Sequence, residues 1–183
     1  MAGPVTAAAV IFLSDAHTEK FKDSKMLSEK ERQELYTLIA KNHQFALGWA
    51  STQEIEKLNI LHASLLAMKR AYLKLQEKYK VQAGVLLIDG NFKIPDVKIK
   101  QETLIKGDLR CSLIGAASIV AKVARDEHIK KLHEKYPQYQ LDSNKGYPSP
   151  THKAAIRSFG PAEIHRKTFA GVKEYFQTSA QKA

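Results

Sequence analysis

The heptapeptide Val85-Leu86-Leu87-Ile88-Asp89-Gly90-Asn91 decides how this chain is read. Four consecutive apolar residues, two of them β-branched, run into a carboxylate and a Gly-Asn turn. A strand buried on both faces that delivers an acid to the edge of a sheet has this pattern. In an open α/β sheet, ligands gather beyond the carboxyl ends of the strands, which puts Asp89 where a metal or a substrate is met. An ordinary turn uses the same residue types, so the heptapeptide alone leaves both readings open.

The surrounding composition is that of one globular domain: 183 residues, 44% of them apolar, with no low-complexity tract. Lys and Arg number 29 against 19 Asp and Glu, a formal charge of +10, which favours a polyanionic partner such as nucleic acid. Cys111 is the single cysteine, so an intrachain disulfide and a cysteine-based zinc site are both excluded. A reducing compartment, the cytoplasm, is the expected home, and a monomer the expected state. Met1 to Leu13 is apolar but lacks the basic start and small-residue cleavage site of a secretory signal, so it is read as a buried strand. No stretch approaches the length of a membrane span.

Outward from the heptapeptide, Pro4 to Leu13 and Phe45 to Ser51 read as strands. Ser28-Glu29-Lys30-Glu31 and Ser51-Thr52-Gln53-Glu54 have capping-box spacing and open helices, the second of which restarts at Asn59. A short strand over 103–105 leads to Lys106-Gly107-Asp108, a second carboxylate after a strand. Ser112 to Lys135 is a long helix whose first half is apolar nearly all round and must be buried. A loop region holds Asn144-Lys145-Gly146-Tyr147, a short helix ends at Phe159, and a last helix passes His165 and reaches Phe176. Asp89 and Asp108 at neighbouring strand ends make a hard-oxygen site suited to Mg²⁺ or Mn²⁺, ions that handle phosphodiesters.

Seven segments carry a resemblance. Asp23-Ser24-Lys25-Met26-Leu27-Ser28, Asn59-Ile60-Leu61-His62-Ala63-Ser64, Leu87-Ile88-Asp89-Gly90-Asn91, Lys106-Gly107-Asp108, residues 116–126, Lys145-Gly146-Tyr147 and His165-Arg166-Lys167-Thr168-Phe169 resemble bacterial ribonuclease HII in order and interval. The resemblance implies a ribonuclease H-like α/β fold, a mixed sheet flanked by helices over residues 1–135, with a C-terminal helical extension over 136–183 that binds substrate. It implies an endoribonuclease that cuts the RNA strand of RNA–DNA hybrids and cuts at ribonucleotides embedded in duplex DNA. Asp89 and Asp108 are then two of four metal-binding acids for Mn²⁺ or Mg²⁺. Tyr147 is expected against the sugar at the ribonucleotide–deoxyribonucleotide junction, with Lys145, Ser24 and Lys25 near phosphates.

The chain departs from the family in one place. Relatives open with a central strand ending in Asp-Glu-Ala-Gly-Arg-Gly-Pro, whereas these residues start at Met1-Ala2-Gly3-Pro4-Val5. Met1 is therefore expected to be an internal methionine of a longer product. Without the central strand, its neighbours are expected to have unpaired edges, with marginal folding and little cleavage. The alternatives are a catalytically dead nucleic-acid-binding remnant and a non-functional fragment. Arg125 and Asp126 are expected to form a structural ion pair. Arg166 meets a DNA phosphate or pairs with Glu163, His152 shapes the loop near Tyr147 or lies on the surface, and the spacing of His128 and His133 does not suit zinc.

Overall fold

The structure, a computed structural model, describes residues 1–15, 18–21 and 27–177. Strand β1 (Val5–Ile11) is followed by a 3₁₀ turn over Thr18–Lys20 and helix α1 (Glu29–Asn42). The expected capping box opens α1: Ser28 Oγ accepts from Glu31 N–H at 3.3 Å, and the Glu31 carboxylate accepts from Ser28 N–H at 2.8 Å. Strand β2 (Gln44–Ala50) leads to α2 (Thr52–Tyr79), opened by the reciprocal Ser51–Glu54 pair at 2.8 and 3.1 Å. Asn59 interrupts α2 with φ 65°, and its Oδ1 accepts from the backbone N–H of Leu61 and His62. The helix therefore restarts there, as its sequence suggests.

Strands β3 (Val85–Asp89) and β4 (Lys100–Leu104) pair in parallel, from Val85 opposite Lys100 to Asp89 opposite Leu104. The short helices α3 (Gly107–Arg110) and α5 (Leu141–Asn144) flank the long α4 (Ser112–Lys135), whose bounds match the sequence reading. A 3₁₀ turn at Pro137–Tyr139, α6 (Pro150–Phe159) and α7 (Glu174–Gln177) complete the described chain. This is an α/β fold with helices flanking small sheets. Two compact units share the residues: one holds Met1–Val5, Ala50–Ala63 and the described residues from Arg125 on; the other holds the described residues of Thr6–Trp49 and Ser64–Ala124.

In the unit starting at Thr6, Val10, Phe21, Ile39, Ala116, Ile119 and Val120 form the core. Close approach sets the small residues. A Cβ on Gly115 of α4 would lie 1.8 Å from the Phe21 carbonyl oxygen, and one on Gly48 of β2 would lie 2.0 Å from that of Ala67 in α2. Among the described residues the strands form two pairs, β1 with β2 and β3 with β4. Both β1 and β3 border a mostly apolar cavity of about 650 Å³. In the other unit Met1, Ala2, Ile129, Tyr139, Leu141, Ile156, Ile164 and Val172 are among the buried residues of a second core.

Three expectations need correction. β3 is not buried on both faces: Val85 is 40% exposed, Leu86 and Leu87 are half-buried, and only Ile88 is buried. Its side chains border the cavity, which leaves Val85, Leu86 and Leu87 partly open. The next strand starts at Lys100 and stops before Ile105, because pairing with the five residues of β3 sets its length. The stretch from His165 to Phe176 is not a helix. Its backbone is committed elsewhere: His165 bridges Ala2, Arg166 N–H donates to Met1 O at 2.9 Å, and only α7 is helical.

Replacing Gly115 or Gly48 by alanine is expected to destabilise the protein by about 2–3 kcal/mol each, from forced shifts of packed backbone. Gly84→Ala, with nothing within 4 Å of its new methyl, is the neutral control in the same denaturant titrations.

Candidate active site

The parallel pairing of β3 and β4 places Asp89 beside Leu104, and the chain then turns sharply. Lys106 takes a left-handed conformation, φ 54°, and sends Gly107 back across the end of β3. There Gly107 N–H donates to Asp89 Oδ1 at 2.9 Å. The position is tight: a Cβ on Gly107 would meet Ile114 Cδ1 at 2.6 Å and Asp89 Oδ1 at 3.3 Å. Asp108 follows at the start of α3 with 3% of its surface exposed, so it sits on a short helix and not directly on a strand end. The carboxylate of Asp89 and the backbone beside Asp108 are thereby brought together at one end of the β3–β4 pair.

The donor chemistry fits a hard divalent cation, which commonly takes one or two carboxylates and leaves its other positions to water and substrate phosphate. Among the described residues, no group of three or more His, Cys, Asp or Glu is placed to hold a metal. His128 and His133 take no part in one, and His133 Nδ1 lies 3.5 Å from Asp142 Oδ1.

The unit holding Arg125 onward has its own concave surface. Met1, Arg125, Tyr147, Lys153, Arg166 and Phe169 are among the residues lining a cavity of about 560 Å³. Tyr147 is 52% exposed, and the Arg125 guanidinium stacks 4.9 Å from its ring centroid. Arg125 Nη1 also faces Asp126 Oδ1 at 3.7 Å, both side chains being largely buried, which is the geometry of an ion pair. Lys145 holds the left-handed position that caps α5, and Gly146 continues the turn with φ 73°. Asn144, buried, fixes this turn: its Nδ2 donates to Tyr139 O at 2.7 Å and its Oδ1 accepts from Gly146 N–H at 2.8 Å.

Arg166 does not pair with Glu163. Its guanidinium donates to Gly3 O at 2.9 Å and Pro4 O at 3.3 Å, while Glu163 accepts from the Tyr136 hydroxyl. Burial, then the charge of Arg125, pulls the Arg166 pKa down to about 10, so it remains charged at neutral pH. The amino group of Met1, 2.6 Å from Gly146 O, is pulled to about 5 by burial and then by Arg166 and Arg125. Ser24 and Lys25 lie outside the described residues.

His152 is buried and not on the surface. Ala162 N–H donates to His165 Nδ1 at 2.9 Å, which leaves the proton of a neutral ring on His165 Nε2. That proton points at His152 Nε2, 3.1 Å away, and His152 Nδ1–H then donates to Tyr147 O at 2.9 Å. The row reaches from Ala162 to the residue with the exposed tyrosine ring. Nothing in the spacing of His152 and His165 gives this contact, because the two imidazoles meet only through tertiary packing beside Tyr139.

Burial, then His152, holds the His165 pKa at about 4, and burial lowers that of His152. Both rings are neutral when folded and charge more readily when unfolded. Their stabilisation is complete above the unfolded pKa near 6.5 and is lost as pH falls from there to about 4. The low pKa of the Met1 amine acts in the same direction from pH 8 to about 5. Denaturant titrations should show stability falling by about 3 kcal/mol across the histidine window. His165→Asn should remove most of that pH dependence while lowering stability at pH 7 by about 1–3 kcal/mol.

Comparison with known proteins gives one answer. The family model described as Ribonuclease HII matches residues 1–172. A ribonuclease HII of Pelagibacter ubique is 51% identical over 173 residues, 94% of this chain and 90% of its own. One from Desulfotalea psychrophila is 46% identical over all 183 residues, which are 80% of its length. The ribonuclease HII chain solved in complex with PCNA from Archaeoglobus fulgidus superposes with a TM-score of 0.72 at 24% identity, covering 92% of this chain and 88% of that one. The match over nearly its whole length places the chain in the ribonuclease HII family, endonucleases of the ribonuclease H type that cut RNA in RNA–DNA hybrids.

Proposed function

We propose that Asp89 and Asp108 hold a divalent cation, Mn²⁺ or Mg²⁺, for hydrolysis of the RNA strand of hybrids and of single ribonucleotides embedded in duplex DNA. The observation that carries the reading is the Gly107 N–H bond to Asp89 Oδ1, which draws the end of β3 to the peptide preceding Asp108. When bound, the ion would supply Lewis-acid polarisation of the phosphodiester. Gly107 orients Asp89 before the ion or the substrate arrives. Burial of Asp108 keeps its carboxylate in a less aqueous setting, where attraction to a cation is stronger. Hydrolysis leaves a 3′-hydroxyl and a 5′-phosphate.

Tyr147, exposed and backed by Arg125, offers a flat face for the sugar at the ribonucleotide junction. Lys145, two residues before it, supplies charge for a phosphate. Ser24, Lys25 and Arg166 are assigned phosphate contacts as well, Arg166 while its guanidinium remains tied to Gly3 and Pro4. The net charge of +10 supplies sequence-independent attraction to the duplex. Among the described residues no helix is long and apolar enough to cross a membrane. The single thiol suits a cytoplasmic setting and is part of the proposal.

A second reading is favoured by one observation: among the described residues, no group of three or more His, Cys, Asp or Glu is placed to hold a metal. In that reading the chain holds hybrid duplex without cutting it. Duplex DNA carrying one ribonucleotide, incubated with Mn²⁺, separates the two. Metal-dependent cleavage that falls at least 100-fold in Asp89→Asn and in Asp108→Asn, and stops when the ion is chelated, supports the enzyme. Binding that weakens steeply with salt, with no cleavage, supports the other reading. Tyr147→Ala is expected to weaken binding of the ribonucleotide-containing duplex about tenfold, the loss of one stacking surface, as read by fluorescence anisotropy.

A further inference from the structure

The imidazoles of His152 and His165, 0% and 1% exposed, meet Nε2 to Nε2 at 3.1 Å beside the ring of Tyr139. Two ring nitrogens facing each other out of water need one proton between them, since none opposes two lone pairs and two make N–H groups collide. The ends of the row decide which ring carries it. Ala162 N–H can only donate, so His165 Nδ1, 2.9 Å away, is its acceptor, while the Ala162 carbonyl takes the His165 backbone N–H at 3.0 Å. At the other end the Tyr147 carbonyl can only accept, and it takes His152 Nδ1–H at 2.9 Å. Every bond therefore points from Ala162 towards Tyr147, and a single arrangement of protons satisfies the row.

Filling the core does not call for this arrangement. Apolar side chains of similar size would occupy the space without the cost of taking two imidazoles out of water. What the row adds is a second donor on the Tyr147 carbonyl, beside the Ser149 N–H at 2.8 Å. Tyr147 N–H in turn donates to Asn144 O at 2.9 Å. Both peptide groups flanking the exposed ring are thus held from inside, and the Arg125 guanidinium lies against the ring itself. A ribose differs from a deoxyribose by one hydroxyl, so a flat surface that tells them apart has to be held to within about 0.5 Å. We infer that His152 and His165 are positioning residues for ribonucleotide recognition: the proton order they pass to the Tyr147 carbonyl sets where the ring meets the sugar, and with it the preference for a ribonucleotide over a deoxyribonucleotide. The inference rests on the reading of Tyr147 as the sugar-facing ring. It gives neither histidine a contact with substrate or a part in hydrolysis.

The readout is a preference ratio, the Kd for an all-DNA duplex divided by the Kd for the same duplex carrying one ribonucleotide, measured by fluorescence anisotropy without divalent metal so that nothing is cut. His152→Leu and His165→Met, which interrupt the row, are expected to lower the ratio about fivefold, the worth of one hydrogen bond, by weakening binding of the ribonucleotide duplex alone. His165→Gln returns an N–H near the position of Nε2 and is expected to restore the ratio. In a Tyr147→Ala background the histidine changes are expected to add nothing, whereas a general loss of structure would act in both backgrounds. Should the variants fold poorly by circular dichroism, the unsubstituted protein labelled with nitrogen-15 histidine gives a second measurement. Its spectra are expected to place the protons on Nδ1 of His152 and Nε2 of His165, and to show His152 shifting with the ribonucleotide duplex but not with the all-DNA one. A ratio that falls in Tyr147→Ala but in neither histidine variant overturns the inference and leaves the tyrosine reading standing; a ratio unchanged in Tyr147→Ala overturns both. The opposite proton order, or equal losses in His165→Met and His165→Gln, also overturns the inference.

Discussion

The hydrogen bond from Gly107 N–H to Asp89 Oδ1 ties local sequence to chemistry. It exists because β4 runs parallel to β3 and stops opposite Asp89, because Lys106 accepts a left-handed turn, and because Gly107 has no side chain to collide with Ile114. Each step has a different physical cause: strand register, backbone strain at a non-glycine residue, and steric room. Together they set the Asp89 carboxylate against the peptide that precedes the buried Asp108.

The surface around Tyr147 is built on another principle. No regular sheet supports it; the first residues of the chain do. Ala2 N–H donates to Gly146 O, Gly3 N–H to Ile164 O, and Arg166 returns its guanidinium to Gly3 and Pro4. Asn144 and the two buried histidines then satisfy the polar groups of the turn from within. A rigid frame of this kind can hold an aromatic ring half in solvent without letting the loop collapse around it.

Much of this was legible in the sequence where the signal is local. Both capping boxes form as read, α4 has its expected bounds, and Asn59 interrupts α2 as expected. Each depends on side chains three or four residues away. The failures are those of partners distant in sequence. The burial of β3 depends on what lies beside it, and the segment after His165 loses its helix to hydrogen bonds with Met1 and Ala2. Of the site, the acids Asp89 and Asp108 and the Lys145-Gly146-Tyr147 turn were visible as motifs. The role of Gly107 in positioning Asp89, that of Asn144 in the turn, and the contact between His152 and His165 arise only once the chain is folded.

The break at Asn59 bears on how α2 comes into being. A helix must pay for its first turn before propagation repays it, and pieces below about a dozen residues are marginal alone. By starting afresh at Asn59, whose side-chain Oδ1 accepts from the N–H groups of Leu61 and His62, the chain divides α2 into two helical segments. The later segment, Ile60 to Tyr79, exceeds that length, whereas Thr52 to Leu58 falls below it and depends on its cap and its packing to stay helical.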